Sequence, residues 1–337
     1  MMQVTIIGLG MVGGSLGMAL RQAIVEDKVE PFRVVGYDED AKVQRSARLA
    51  GVIDEGANSL EEAVQEADII VIATEPQVVG AVLQEIGPQL RPGTIVTDTA
   101  STKLQVLRWA DQFLPPQVSF VGGHPVFAPE HNVDWEAGLK GASPDYFVDA
   151  IYCLAPSPNA AGEAVETLNG LVNLIGASPY YLDPMEHDGL IAGSSHAPYL
   201  VMASMLHTMA SSASWREVKL LSDSDFRYLS WLVAARTDDF YQASLTNRQP
   251  LVSWLDRVIA ILREMRQELA DETSSGETVL AVIREAHAAR LDWIKKRDER
   301  EGEAGSKTGP ELETPGQQIL HMFVPRFFRR RKDEEEE

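Results

Sequence analysis

Residues 4–20 read VTIIGLGMVGGSLGMAL. The β-branched run at 4–7 has the composition of a strand buried on both faces, and residues 11–22 read as a helix. Between them Gly8, Gly10 and Gly13 make a GxGxxG turn. Its glycines give a tight bend, a close approach of backbone to a pyrophosphate, and close helix packing. The helix N-terminus then offers N–H groups and a partial positive charge to that anion. A strand and a glycine turn explain this stretch better than a signal peptide or membrane span, because no basic residue precedes it and five glycines interrupt it.

Outward from the turn, strand and helix patterns alternate. Strands are expected at 33–37, 67–74 and 94–98, and helices at 40–50, 76–86 and 102–113. That spacing predicts βαβ units and a parallel sheet. Two more strands, 118–121 and 150–154, flank an irregular stretch at 122–146 that holds Pro125, Pro129 and Pro144; a helix at 159–175 and a strand at 179–182 follow. Beyond Asp183-Pro184 the β signal fades. Leu251, Leu255, Val258, Ile259, Leu262, Met265 and Leu269 then recur at three- and four-residue spacing, an apolar helix face of the kind that pairs two chains.

The expected architecture is α/β: a Rossmann-type doubly wound parallel sheet over 1–182, then an all-α dimerisation domain over 183–300, which also meets the substrate. Residues 301–318 have linker composition. The tail to residue 337 mixes aromatics and bases around Phe327-Phe328-Arg329-Arg330 and ends in acids; we read it as a docked or frayed terminus rather than a membrane anchor.

Composition narrows the function. Of 337 residues, 45% are hydrophobic, enough for a sizeable core. Fifty acidic against 30 basic side chains leave a net charge of −20, which repels phosphate backbones and argues against nucleic acid as partner. The single cysteine, Cys153, rules out an internal disulfide and a multi-cysteine zinc site and fits a reducing, cytoplasmic setting.

The chemistry is expected at the carboxyl ends of the strands, where open α/β sheets bind ligands. Asp38 closes the second strand, placed to accept hydrogen bonds from both adenosine ribose hydroxyls; its charge repels a 2′-phosphate, so NAD is favoured over NADP. Candidate cofactor-binding residues are therefore Gly8, Gly10, Met11, Val12, Gly13, Asp38 and Thr74. Asp98-Thr99-Ala100-Ser101-Thr102-Lys103 opens a helix, where Ser101 can serve as N-cap, ligand contact, or both. Gly122-Gly123-His124-Pro125 puts an imidazole at the same edge, suited to proton transfer near neutral pH. Glu186-His187-Asp188 and Ser195-His196 open the helical region. None of these has a zinc spacing, and metal catalysis is not indicated.

In order, GLGMVGGSLG, GYD, DTASTK, GGHPVFAPE and EHDGLIAGSSHAPYL resemble the prephenate and arogenate dehydrogenases of tyrosine biosynthesis, over about residues 3–255. The resemblance implies NAD-dependent oxidative decarboxylation by a homodimer. It makes His124 the group on the substrate's ring hydroxyl, Ser101 its companion, His196 with Ser195 a substrate contact, and His187 and Asp188 residues lining the cleft. Three departures stand out. Gly123 replaces the serine before the histidine, Phe127-Ala128-Pro129 replaces a run of small residues, and Trp231 falls where a carboxylate-binding arginine belongs. Such a clamp is worth about 1.5 to 3 kcal/mol. Arg227, one helical turn earlier, is expected to supply the charge. These departures also motivate two alternatives: a related two-domain NAD-dependent dehydrogenase acting on another small hydroxy or amino acid, and a catalytically silent NAD-binding protein.

Overall fold

The computed structural model describes residues 1–131, 133, 135–234 and 237–305. The chain opens with β1 (Gln3–Ile7), α1 (Met11–Val25), β2 (Arg33–Tyr37), α2 (Ala41–Leu49), β3 (Glu55–Gly56), α3 (Leu60–Gln65), β4 (Ile69–Ile72), α4 (Pro76–Ile86), β5 (Ile95–Asp98) and α5 (Leu104–Phe113). It continues through β6 (Ser119–Val126), β7 (Ile151–Pro156), α6 (Gly162–Leu174) and β8 (Ser178–Tyr181), which is the last strand among the described residues. Helices follow: α7 (Pro184–Ile191), α8 (Ala197–Ala210), α9 (Trp215–Leu221), α10 (Ser224–Trp231), α11 (Thr237–Thr246), α12 (Arg248–Ala270) and α13 (Glu277–Gly305).

The strands form one sheet in the order β3-β2-β1-β4-β5-β6-β7-β8. Period-two alternation divides the central strands between two cores. Val4, Ile6, Val34, Ile69 and Val71 pack with Leu16 and Leu20 of α1 and Leu168 and Leu171 of α6. Ile7, Val35, Ile70, Ile72 and Val96 pack on the other face with Val64, Leu83 and Val106 from α3, α4 and α5. Strands buried on both faces are what the unbroken apolar runs IIVI and TII encode.

Two expectations need correction. The sheet is mixed: β7 runs antiparallel to β6, pairing Val121 with Pro156 through to Val126 with Ile151. As a result Gly122-Gly123-His124-Pro125 is strand and not loop, since its ladder partner lies about thirty residues downstream where no local pattern shows it. The pair β3–α3 was also missed; β3 holds two residues only, paired to β2 at Val35 and Gly36.

Residues 1–251 form one compact unit and a second begins at Val252. In the second, the Glu268 carboxylate accepts from the Val279 N–H (2.8 Å) and the Ser274 hydroxyl (3.1 Å), closing the turn between α12 and α13. Ile259, Leu262, Leu269, Ile283 and Trp293 of these helices are exposed in the single chain. The tail around Phe327–Arg330 and most of the linker read from the sequence lie outside the described residues. Among the described residues no helix is long and apolar enough to cross a membrane.

The glycine turn is dictated sterically. Gly8 has φ +91°, and a Cβ at Gly13 would fall on the Gly8 carbonyl oxygen, so strand and helix meet with no room for a side chain. We expect Gly13→Ala to cost about 1–3 kcal/mol by overpacking, read as a lower urea midpoint, and to weaken binding of NADH in a fluorescence titration. An unchanged midpoint and affinity would contradict this account of the turn.

Candidate active site

β1 and β4 are neighbours whose connections leave in opposite directions along the sheet, which opens a crevice at their carboxyl ends. A cleft of about 460 Å³ lies there, lined by Gly10, Met11 and Val12 after β1, Thr74 and Glu75 after β4, Thr99 and Ser101 after β5, and His124 on β6. Trp135 and Gly138 complete one wall, and Thr237, Asp238 and Asp239 of α11 another. Gly10 caps α1 without any side-chain bond, so helix geometry leaves the first N–H groups of α1 to a ligand. A Cβ at Gly10 would meet nothing within 4 Å, an open cradle on the cleft side of the turn. At the end of β2 the Asp38 carboxylate is oriented by the N–H groups of Leu9 (2.8 Å) and Asp40 (3.0 Å). Donor turn, open cradle and fixed carboxylate together fit a dinucleotide.

Beneath the cleft two opposite charges are shut away from water. Asp98 and Lys103 are both fully buried. Lys103 Nζ donates to Asp98 Oδ2 and to the carbonyl of Gly123, each at 2.5 Å. Asp98 also accepts from the N–H of Gly123 (3.0 Å) and of Ala100 (2.9 Å). The peptide groups on both sides of Gly123 are therefore held by one ion pair, immediately before His124. Gly123 has to be glycine here: a Cβ would lie 2.5 Å from the Asp98 carbonyl oxygen and 2.9 Å from the Thr97 hydroxyl. Burial pushes the Lys103 ammonium below its ordinary value, opposed by the attraction of Asp98. Burial, with Asp98 adding to it, raises the Tyr152 phenol beside them.

A second cluster arrives from α7. The Asp188 carboxylate accepts from the backbone N–H groups of Lys103 (2.7 Å) and Leu104 (3.0 Å), capping α5 from 85 residues away. It also meets His187 Nδ1 at 2.9 Å, while His187 Nε2 lies 3.0 Å from His124 Nδ1. The two imidazoles are edge to face, 79° apart. Between α7 and α8 the chain makes a π turn at Ala192–His196, closed by the Ala197 N–H on the Ala192 carbonyl. Pro198, which has no N–H to give Ser194, stands just past it, and such turns recur at functional sites. The turn buries His196, whose Nδ1 lies 3.4 Å from Asn247 Nδ2; the same amide donates to the Asp188 carbonyl at 2.7 Å.

The structure thus brings Gly10, Met11, Val12, Thr74, Ser101 and His124 to one cleft. Gly8 and Gly13 shape its turn, and Asp38 directly follows the neighbouring strand β2. Ser101 is not a helix cap; Lys103 is the N-cap residue and Asp188 does the capping. His187 and Asp188, expected on the cleft wall, are instead buried behind His124. Ser195 is half-buried in the π turn. Arg227 lies exposed on α10 and is not among the residues that line the cleft. Among the described residues no group of three or more His, Cys, Asp or Glu is placed to hold a metal ion. Lys103 and Asn247 were missed as site residues. Lys103 did carry a signal, since it shares the buried stripe of Val106 and Ala110.

Comparison with known proteins now bears on this geometry. Residues 20–181 match the model for the prephenate dehydrogenase nucleotide-binding domain, and 183–284 that for the prephenate dehydrogenase dimerization domain. The prephenate dehydrogenase of Bacillus subtilis is 31% identical over 268 residues, 79% of this chain and 69% of that protein. The chain belongs to the prephenate dehydrogenase family. The cyclohexadienyl dehydrogenase of Zymomonas mobilis is 25% identical over 86% of this chain and 94% of its own length. In fold, the family member described here resembles Synechocystis arogenate dehydrogenase (TM-score 0.70, 24% identity, 87% of this chain and 100% of that one). It also resembles the Aquifex aeolicus prephenate dehydrogenase determined with hydroxyphenyl propionate and NAD+ (TM-score 0.70, 19% identity, 90% and 98%).

Lys103→Met would strand Asp98 as a buried charge without its counter-ion, at a cost of about 3–5 kcal/mol. The expected result is a lower urea midpoint at similar slope, partly restored by adding Asp98→Asn. Equal midpoints for wild type and Lys103→Met would remove the ion pair from this account.

Proposed function

We propose that this family member catalyses NAD-dependent oxidative decarboxylation of prephenate or arogenate in tyrosine biosynthesis. The observation that carries the reading is the meeting of His124 and Ser101 with the glycine turn on one cleft. The first N–H groups of α1 would hold the pyrophosphate, and Asp38 the adenosine ribose, where its charge disfavours a 2′-phosphate. A nicotinamide bound there supplies the hydride acceptor.

The chain's own residues have two tasks. His124 accepts a hydrogen bond from the ring hydroxyl and thereby stabilises the positive charge that builds on that oxygen as the carbinol carbon loses hydride. Ser101, half-buried at the same cleft, orients the hydroxyl. As the ring carboxylate departs as CO2, its bonding pair returns to the ring, which becomes aromatic, and the oxygen keeps its proton in the phenol. His196 and Ser195 of the π turn are assigned to the far end of the substrate. The exposed apolar side chains of α12 and α13 support a homodimer. The net charge of −20 and the single cysteine support a cytoplasmic enzyme acting on a small molecule.

The deciding assay follows NADH absorbance with NAD or NADP against prephenate or arogenate, one pair at a time. Rapid NADH formation with one pair establishes reaction and cofactor together. Intact NAD binding with no turnover of either substrate would overturn the reading and favour a different small hydroxy or amino acid. His124→Asn is expected to keep NAD affinity and slow the chemical step by about 100-fold or more. An unchanged kcat would take His124 out of the mechanism.

A further inference from the structure

The chain places a buried histidine and a buried carboxylate directly behind His124, where no substrate reaches. His187 and Asp188 are 0% and 2% exposed, and neither lines the cleft. We infer that they are positioning residues: through the line Asp188–His187–His124 they fix the tautomer of His124, leaving its Nε2 as the acceptor nitrogen of the ring. This rests on the reading of His124 given above and adds to it the residues that make that role possible.

The argument runs from the carboxylate outward. Both Asp188 oxygens are committed as acceptors: Oδ1 takes the Lys103 N–H and Oδ2 the Leu104 N–H, at the first turn of α5, where a negative charge is favoured. An ionised carboxylate has no proton to give, so the 2.9 Å contact from Oδ1 to His187 Nδ1 requires the proton on His187. A neutral His187 then carries a bare lone pair on Nε2. That atom faces His124 Nδ1 at 3.0 Å, so Nδ1 of His124 must be the donor and its Nε2 must be without a proton. Nε2 is the form that a hydroxyl proton needs. With the polarity reversed at any link, His124 would present an N–H to the substrate and serve as a donor only. The same logic operates wherever a carboxylate behind a catalytic imidazole selects its tautomer.

The line is also closed on itself. Asp188 Oδ1 takes the Lys103 N–H as well as His187, and Lys103 Nζ holds the carbonyl of Gly123, the residue bonded to His124. Ring and backbone of His124 are therefore set by a single circuit. The imidazole cannot turn over without breaking its bond to His187.

Two variants separate this from a merely structural role. In His187→Gln the amide NH2 can donate to Asp188 while its carbonyl accepts from His124, which reproduces the polarity of neutral histidine. In His187→Leu both contacts are lost. Histidine side chains would be labelled with 15N and read by long-range 1H–15N correlation in the full-length enzyme. The His124 signals are assigned by their disappearance in His124→Asn. The wild type is expected to show His124 as the Nδ1–H tautomer, and so is His187→Gln. In His187→Leu the signals should move toward the Nε2–H form or a mixture. In the NADH assay His187→Leu should lose about 10- to 100-fold in kcat with NAD affinity unchanged, and His187→Gln should recover most of that loss. A wild-type His124 in the Nε2–H form overturns the inference, and so does a His187→Leu enzyme with wild-type tautomer and kcat. The tautomer reading needs no turnover. If neither prephenate nor arogenate is consumed, the proposed reaction fails while the spectrum still decides the relay.

Discussion

Burying Asp98 and Lys103 together takes two full charges out of water, and the site is arranged around that pair. Each ion gives up several kcal/mol of hydration in a medium where the mutual attraction repays the loss only if every remaining lone pair and proton is also satisfied. Here they are shared out with little waste. Asp98 takes two backbone N–H groups beyond the lysine, and Lys103 takes the Gly123 carbonyl beyond the aspartate. The bonds that make the pair tolerable are the same bonds that join the β5–α5 connection to β6. The charges cannot relax without moving the strand that carries His124, and the strand cannot shift without exposing the charges.

This constraint explains why Gly123 departs from the serine the family resemblance suggests. With Asp98 and Thr97 drawn against β6, the space for a side chain at 123 is gone. On the other edge β7 returns antiparallel to β6 and pairs His124 with Cys153 in register. His124 therefore stands on a strand that β7 pairs through Val126 while β5 pairs it only as far as Val121, and beyond that point the Asp98–Lys103 pair holds its other edge at Gly123.

What could be read from the sequence follows the range of the forces involved. The glycine turn, β2 with Asp38, and α4 from Pro76 are local matters: a buried strand, a tight bend and a proline at the first helical position all leave their mark within a dozen residues. The nature of β6 was hidden because its last residues owe their conformation to β7. Asp188 and His187 were legible as polar residues near the site, but not by side. A helix as short as α7 has no apolar stripe strong enough to show which face is inward. Lys103 is the instructive case. A lysine is ordinarily assigned to solvent, yet its register with Val106 and Ala110 placed it on the buried stripe of α5. Periodicity outranked residue type.

The capping of α5 shows how the two ends of the first unit become one site. Helix α5 has no side chain of its own at its N-terminus to satisfy the first N–H groups; its cap residue is Lys103, whose side chain is committed elsewhere. Those donors must be met in a buried place, and Asp188 of α7 meets them. Once the carboxylate is drawn there, its neighbour His187 is brought against His124, and Asn247 ties the same peptide of α7 to the end of α11 beside His196. An unsatisfied helix end in the sheet-bearing part is thus what recruits the helices that follow it. The contact that recruits them also sets the proton on the imidazole facing the cleft. Stability and chemistry here share atoms, so residues that never touch a substrate bear on the reaction as directly as those that do.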